Sequence, residues 1–409
     1  MRSLLEESFR AAVAAADPLQ ILAAHLPQPP KGRTFVAAAG KAAASMALAV
    51  EQRWNRSLEG IAITRYGHGL PTKKIRVVEA GHPVPDASGE SAAHEMLKKT
   101  KELTEDDLLL ALLSGGGSSL LSLPAADIPM ADLKTVTQQL LKSGAPIQEM
   151  NTVRKHLSAI HGGRLAAASR APVVALIISD VTGDDPTHIA SGPCAPDPTT
   201  YADALEILKR YRVTPPLSVR KRLERGLDET PKPGAAFFSR VQNTVIATAH
   251  RSLEAAAQIF SRNNIAPIIL GDAITGEAAE VGKVMAALVH ELRRHGSPWK
   301  PPVALISGGE CTVTIRGEGG RGGRCTEFLL SVGIETGGVW AIAADTDGID
   351  GSEDNAGAVL TPESMKNGAD ARTLLERHDS YGFFSALGDL VVTGPTRTNV
   401  NDYRAIVIT

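Results

Sequence analysis

The chain has 409 residues, 43% of them hydrophobic and 22% charged, with a formal net charge of −2. That length exceeds one comfortable core and predicts two domains. The balanced charge removes any electrostatic case for DNA, and 4% aromatic content gives no stacking platform for single-stranded nucleic acid.

Cys194, Cys311 and Cys325 lie far apart and form no metal-ligand spacing, as expected of reduced thiols in a cytoplasmic protein. No apolar run approaches the ~18–20 residues that span a bilayer. The start, Met1–Arg10, carries acids where a secretory leader would be basic and then apolar. The expected partners are therefore small molecules, with no nucleic acid and no membrane.

In chain order, short apolar runs alternate with amphipathic stretches, which predicts an α/β protein. The runs are Thr34–Ala39, Gly60–Thr64, Ile75–Glu79, Leu108–Leu113, Val173–Ser179, Thr244–Thr248, Pro267–Leu270, Val303–Ser307 and Val339–Ala344. Leu390–Thr393 and Ala405–Ile408 follow as an expected end hairpin, and with the alternating run Cys311–Arg316 they predict a mixed sheet in the last part. Helices are expected over Ser88–Thr100, capped by Asp86 or Ser88, and over Ala131–Ser143, closed by Gly144. A proline-rich linker, Tyr211–Gly234, places the domain boundary near 230/231.

The first candidate site is Lys41, between the run ending at Gly40 and an Ala-rich helix. A cation is disfavoured at a helix N-terminus by roughly 0.3–1 kcal/mol unless an anion binds beside it. A second strand ends in Ser114-Gly115-Gly116-Gly117-Ser118-Ser119, where consecutive glycines let backbone N–H groups converge on an anion. Neither turn is a Walker A loop, since no G-x-x-x-x-G-K-[ST] occurs. From Asn151, read as an N-cap, a helix would place Arg154, Ser158 and His161 on one face at i, i+4 and i+7.

Asp180 ends the buried run 173–179, where ligands of open sheets gather, and could hold Mg²⁺ or accept a hydroxyl proton. Asp184-Asp185-Pro186 reads equally as turn chemistry. Gly317–Gly322 satisfies G-x-G-x-x-G, with Asp345 at the distance of a ribose acid, which would support a nicotinamide enzyme. Arg321 and Arg324 inside that loop suit a phosphoryl group better. The Asp345–Asp354 carboxylate cluster fails the EF-hand pattern. It reads either as a surface turn or as a water-mediated Mg²⁺ site, with Asp347 a candidate ligand.

Ala-Ala-Gly40-Lys41-Ala, Glu79-Ala-Gly-His82-Pro-Val-Pro-Asp86, Ser114-Gly-Gly-Gly-Ser-Ser119 and Asn151-Thr-Val-Arg154-Lys-His156 recur in one family. So do Ser179-Asp180-Val, Ser307-Gly-Gly-Glu310, Gly322-Gly323-Arg324 and Thr393-Gly-Pro-Thr396 with Asn399-Val-Asn-Asp402. Over nearly its whole length the chain resembles the class II glycerate kinases that carry a C-terminal MOFRL domain, some of whose members are labelled hydroxypyruvate reductases.

The resemblance implies an α/β fold in two domains that enclose a cleft. These are an N-terminal three-layer α/β/α Rossmann-like domain (1–230) and a C-terminal α/β domain with a mixed sheet (231–409, MOFRL region about 300–405). It implies ATP- and Mg²⁺-dependent phosphorylation of D-glycerate, usually at the 2-hydroxyl, with NAD(P)H-dependent hydroxypyruvate reduction as the alternative, and it allows a homodimer. Lys41 and Arg324 are then the catalytic candidates beside Asp180. Ser114–Ser119, Arg154, Glu310, Gly322, Gly323, Thr396 and Asn399 would hold nucleotide or substrate, and Asp180 and Asp347 the metal. After Gly-Gly-Arg324 the family usually reads Asn-Gln-Glu, whereas this chain has Cys325-Thr326-Glu327.

Overall fold

The computed structural model describes residues 1–315, 317, 319–367 and 370–409. It divides into two compact units, Pro18–Ile246 and Met1–Asp17 with Ala247–Thr409.

The unit Pro18–Ile246 is built on strands β1 (Thr34–Ala39), β2 (Leu58–Arg65), β3 (Ile75–Ala80), β4 (Leu108–Leu113), β5 (Val173–Ile178) and β6 (Val241–Ala247). Their order across the sheet is β3-β2-β1-β4-β5-β6, and β1 to β5 pair in parallel. Every residue of β1 and β4 is buried, as in a parallel sheet covered on both faces. On one face Phe35, Ala37, Ala39, Leu109, Ala111 and Leu113 share a core with Ala92, Ala93 and Met96 of the helix Ala87–Lys101. That helix is capped as expected, the Asp86 carboxylate accepting the Gly89 N–H at 3.0 Å. From β1 the chain fills one edge through β2 and β3, then returns to the other side of β1 with β4. The direction of winding therefore switches between β1 and β4, the place where open α/β sheets bind ligands.

The second unit carries β7 (Ala266–Gly271), β8 (Gly276–Glu277), β9 (Val303–Gly309), β10 (Cys311–Thr312), β11 (Trp340–Asp345), β12 (Gly357–Leu360), β13 (Leu390–Val391) and β14 (Asp402–Ile408). Six of these form a mixed sheet in the order β13-β12-β11-β14-β9-β7, and β8 pairs with β10 apart from it. Among the described residues only the β7–β9 pairing in the larger sheet is parallel. One face packs Val303, Leu305, Ala341 and Ala343 against the helices Ala278–His295 and Arg324–Thr336. The other packs Ala304, Ile306, Ile342 and Ala344 against Leu5, Phe9 and Ala12 of the helix Arg2–Ala14 and Leu253, Ala256 and Phe260 of Ala249–Arg262.

The α/β class, the parallel first sheet and the mixed second sheet are as expected. Three local expectations differ from the structure. The end hairpin is absent among the described residues: β13 pairs with β12, while β14 runs between β11 and β9. The helix expected to start at Asn151 instead spans Ile147–His156 behind Pro146, so Asn151 is mid-helix and Ser158 and His161 lie beyond its end. The chain leaves the helix at Leu157, and left-handed Gly162 and Gly163 (φ 58° and 80°) lead into the next short helix, Arg164–Ala167. The compact units also part at 17/18 and 246/247 rather than near 230/231, because the apolar stripe of Arg2–Ala14 finds its partners on the second sheet. Arg316, at the end of the alternating run, lies outside the described residues.

Candidate functional site

Within Pro18–Ile246 the turns after β1 and β4 are locked together. The Lys41 N–H donates to Gly115 O at 2.8 Å, and the Ser114 N–H to Ala39 O at 3.0 Å. The buried Ser114 hydroxyl accepts the Ala42 N–H at 3.1 Å. Gly40 is required here: its φ is +128°, and a Cβ would lie 2.1 Å from Ser114 Oγ. Gly116 (φ +78°) faces the His82 ring at 3.0 Å and Lys41 Cγ at 3.4 Å, both measured from where its Cβ would stand. Lys41, His82 and the Gly115–Gly116 turn thus share one spot at the switch point.

Lys41 itself sits in the turn, since the helix begins two residues later as Ala43–Arg53. The nest is narrower than expected, because the Gly117 and Ser119 N–H groups are used internally, on Ser114 O and Gly116 O at 3.2 Å each. Asp180 follows β5, the neighbour of β4, and is half-buried behind Ser179. In the next loop Asp185 makes the turn contact expected of it, accepting the Thr187 N–H at 2.8 Å.

Arg154 and Ser118 meet in a small cavity that Ser119, Ser158 and His161 also line. Arg154 Nη1 donates to Asn151 Oδ1 at 3.2 Å, and burial lowers its pKa to about 10. The Ser191 hydroxyl donates to Ser118 Oγ at 2.8 Å and also lies 3.1 Å from Asn151 Oδ1. His161 is buried, and its Nε2 has no hydrogen-bond partner among the described residues. Burial, then the nearby charges of Arg154 and Lys155, lower its pKa to about 3.

A pH effect follows. The unfolded histidine takes up a proton below about pH 6.5 while the folded one stays neutral to about 3. His161 therefore costs nothing above pH 6.5 and removes stability as pH falls, by up to ~1.4 kcal/mol per unit. In denaturant titrations at pH 7.5 and 5.5, wild type is expected to lose more stability than His161→Gln. Equal losses would contradict the burial.

In the other unit, Arg324 opens the helix Arg324–Thr336 directly after Gly322 and Gly323. Its guanidinium is held by three carboxylates: Nη1 on Glu310, and Nη2 on Asp345 at 2.5 Å and Asp402 at 3.1 Å. Asp345 and Asp402 are cross-strand neighbours on β11 and β14, which aims both at one cation. Asp402 is held from behind by the buried Arg404, 2.7 Å away. Burial alone would disfavour the charged Arg324, and Asp402, Asp345 and Glu310 together more than reverse that, holding its pKa above the usual arginine value.

The helix start is tied down by buried Asp350, which accepts the N–H groups of Cys325 and Thr326 at 2.9 Å each and the Thr326 hydroxyl at 2.8 Å. Cys325 and Thr326, the residues that depart from the family pattern, thus serve the core and this cap. Thr396 and Asn399 brace the neighbouring loop: Thr396 Oγ1 donates to Thr346 O at 2.5 Å, and Asn399 Oδ1 accepts the Asn401 N–H at 3.3 Å. Asp347 is buried and accepts the Ile349 N–H at 2.9 Å.

Among the described residues no group of three or more His, Cys, Asp or Glu is placed to hold a metal ion. The dinucleotide expectation lacks its context. Glu318 lies outside the described residues, the strand before the loop, Cys311–Thr312, has two residues, and the helix after it opens at Arg324. Asp345, the would-be ribose acid, is engaged by Arg324. Sequence reasoning gave no role to His82, Asp350, Asp402 or Arg404. His82 and Asp402 lay inside quoted motifs and Asp350 inside the Asp345–Asp354 cluster, while no local pattern marked Arg404.

Interlocked glycine turns at the switch point of a parallel sheet, and an arginine held among carboxylates on a mixed sheet, define a two-unit α/β protein. Residues 4–224 match the family model described as a domain of unknown function, DUF4147, and residues 303–402 match the MOFRL family. The chain is 51% identical over 417 residues to a protein of Agrobacterium vitis named "Putative hydroxypyruvate reductase", covering 100% of this chain and 94% of that one. It is 42% identical to the glycerate 2-kinase of Pyrococcus horikoshii, over 93% of this chain and 88% of that one. The crystal structure of glycerate kinase from Thermotoga maritima superposes with a TM-score of 0.88 at 36% identity, covering 100% of this chain and 99% of that one. The chain belongs to the class II glycerate kinase family with a C-terminal MOFRL region.

Proposed function

We propose that the protein transfers the γ-phosphoryl group of ATP, bound as its Mg²⁺ complex, to the 2-hydroxyl of D-glycerate. The observation that carries this reading is the interlocked Gly40-Lys41 and Ser114-Gly115-Gly116 turns, which hold a lysine over a glycine nest at the switch point. Phosphoryl transfer asks for positioning and charge neutralisation more than covalent chemistry. Lys41 supplies the ammonium for the phosphoryl oxygens, and the Gly115–Gly116 backbone beside it supplies N–H donors. Asp180 takes the substrate hydroxyl proton as the new O–P bond forms and the γ-phosphorus–oxygen bond to ADP breaks. Arg324 offers a guanidinium whose orientation three carboxylates hold, Gly322 and Gly323 let the backbone approach, and Thr396 and Asn399 shape the loop beside it. Asp180 or Asp347 would hold Mg²⁺, which would supply charge neutralisation at the phosphoryl oxygens.

The names of the Pyrococcus and Thermotoga relatives support the same reaction. No described helix is long and apolar enough to cross a membrane, and the three cysteines are free and buried; both suit a cytoplasmic enzyme. Phosphorus NMR of the product tests the regiochemistry. A 2-phosphoglycerate signal that disappears with EDTA is expected, and 3-phosphoglycerate would contradict the assignment.

A further inference from the structure

The Arg154 cavity has a charge problem that the fold itself does not solve. Its guanidinium is held only by the neutral Asn151 amide oxygen; among the described residues no carboxylate pairs with it, and burial alone perturbs it. The side chain is half-buried, so an unpaired cation there carries a partial desolvation cost that an arriving anion relieves. The groups around it are donors suited to one. Ser118 accepts from Ser191, which leaves its own proton to donate. His161 presents an unpartnered, fully buried ring nitrogen.

The lining narrows the ligand: Arg154, Ser118 and His161 offer donors beside the apolar Leu123 and Leu133, which suits a small organic anion. Position narrows it further: Ser118 stands two residues past Gly116, which lies against Lys41 and His82.

We infer that Arg154, Ser118 and His161 form the seat of the substrate carboxylate, so that a small 2-hydroxy acid is gripped by its acid end while its hydroxyl is presented toward Lys41. This inference rests on the glycerate kinase reading for the identity of the acid. Arg154 gives the charge-assisted hydrogen bonds, and Ser118 and neutral His161 each give one further donor. Specificity for hydroxy acids over simple polyols follows, because a substrate lacking the carboxylate leaves Arg154 unpaired.

The test compares wild type with Arg154→Met and Ser118→Ala, each checked for folding by circular dichroism and thermal melting. Arg154→Met is expected to raise KM for D-glycerate about 10²-fold and Ser118→Ala about 10-fold, with KM for ATP essentially unchanged in both. The wild-type preference for D-glycerate over glycerol is expected to shrink in parallel. If Arg154→Met does not fold, Ser118→Ala decides. An unchanged glycerate KM in a folded variant, or a rise in the ATP KM instead, overturns the inference. Calorimetry with D-glycerate alone separates the two ideas. Binding that wild type shows and Arg154→Met loses supports the carboxylate seat even if wild type makes no ADP, a result that would sink only the kinase reading. Equal binding by both proteins overturns the seat even if the kinase reading stands.

Discussion

Lys41→Ala is expected to lower kcat by ~10²–10³-fold, the scale of losing one preorganised charge-stabilising donor. Stability should change little. Lys41 is only half-buried, and the contact that fastens its turn is its backbone N–H on Gly115 O, which alanine retains. KM for D-glycerate should move far less than kcat, because the ammonium acts on charge that develops during transfer. Steady-state kinetics beside a thermal melt checks both parts. A variant with near wild-type kcat reduces Lys41 to a surface cation.

Arg324 is expected to behave differently, because its carboxylate partners make it structural as well. Arg324→Ala leaves Asp345 facing Asp402 across the strand pair, with only Arg404 to offset them. A loss of ~3–5 kcal/mol is expected from the uncompensated buried charge, together with loss of activity. Arg324→Lys separates the two roles. A single ammonium keeps the charge and should recover much of the stability. It cannot bond Glu310 with one nitrogen and Asp345 with Asp402 through another, as the planar fork does. Its kcat should therefore stay at least ~10-fold below wild type. Full recovery of kcat by lysine would show that the fork geometry is immaterial; a melt unchanged in Arg324→Ala would show that the carboxylates do not depend on it.

The contrast between these residues shows what the chain reveals locally. β1 and β4 were legible to the residue, because a six-residue apolar run buried on both faces has no other good home. Gly40-Lys41 and Ser114–Gly116 were legible for a related reason: glycines at strand ends mark turns whose backbone must approach something closely. β12 was not, since Gly357-Ala-Val-Leu360 is too short and too small to announce a strand and is held by pairing on both sides. The docking of Arg2–Ala14 on a sheet built mostly from residues beyond 300 was equally hidden, because an amphipathic stripe states that it needs a partner and not which one.

The same limit governs the sites. Arg154 and His161 were expected together on a continuous helix, and they do meet, but across the bend that follows the helix end at His156. The carboxylates around Arg324 come from three separate segments whose convergence is set by the β11–β14 register. No spacing rule in one dimension contains that information.

The measurement that bears most directly on the central claim is a two-arm assay on one purified preparation. D-glycerate with ATP and Mg²⁺ is followed for ADP, and hydroxypyruvate with NADH or NADPH for loss of nicotinamide absorbance. The account predicts ADP formation that requires both glycerate and Mg²⁺, and no nicotinamide oxidation above background. Hydroxypyruvate reduction at an enzymatic rate with no ADP formed from glycerate would contradict it.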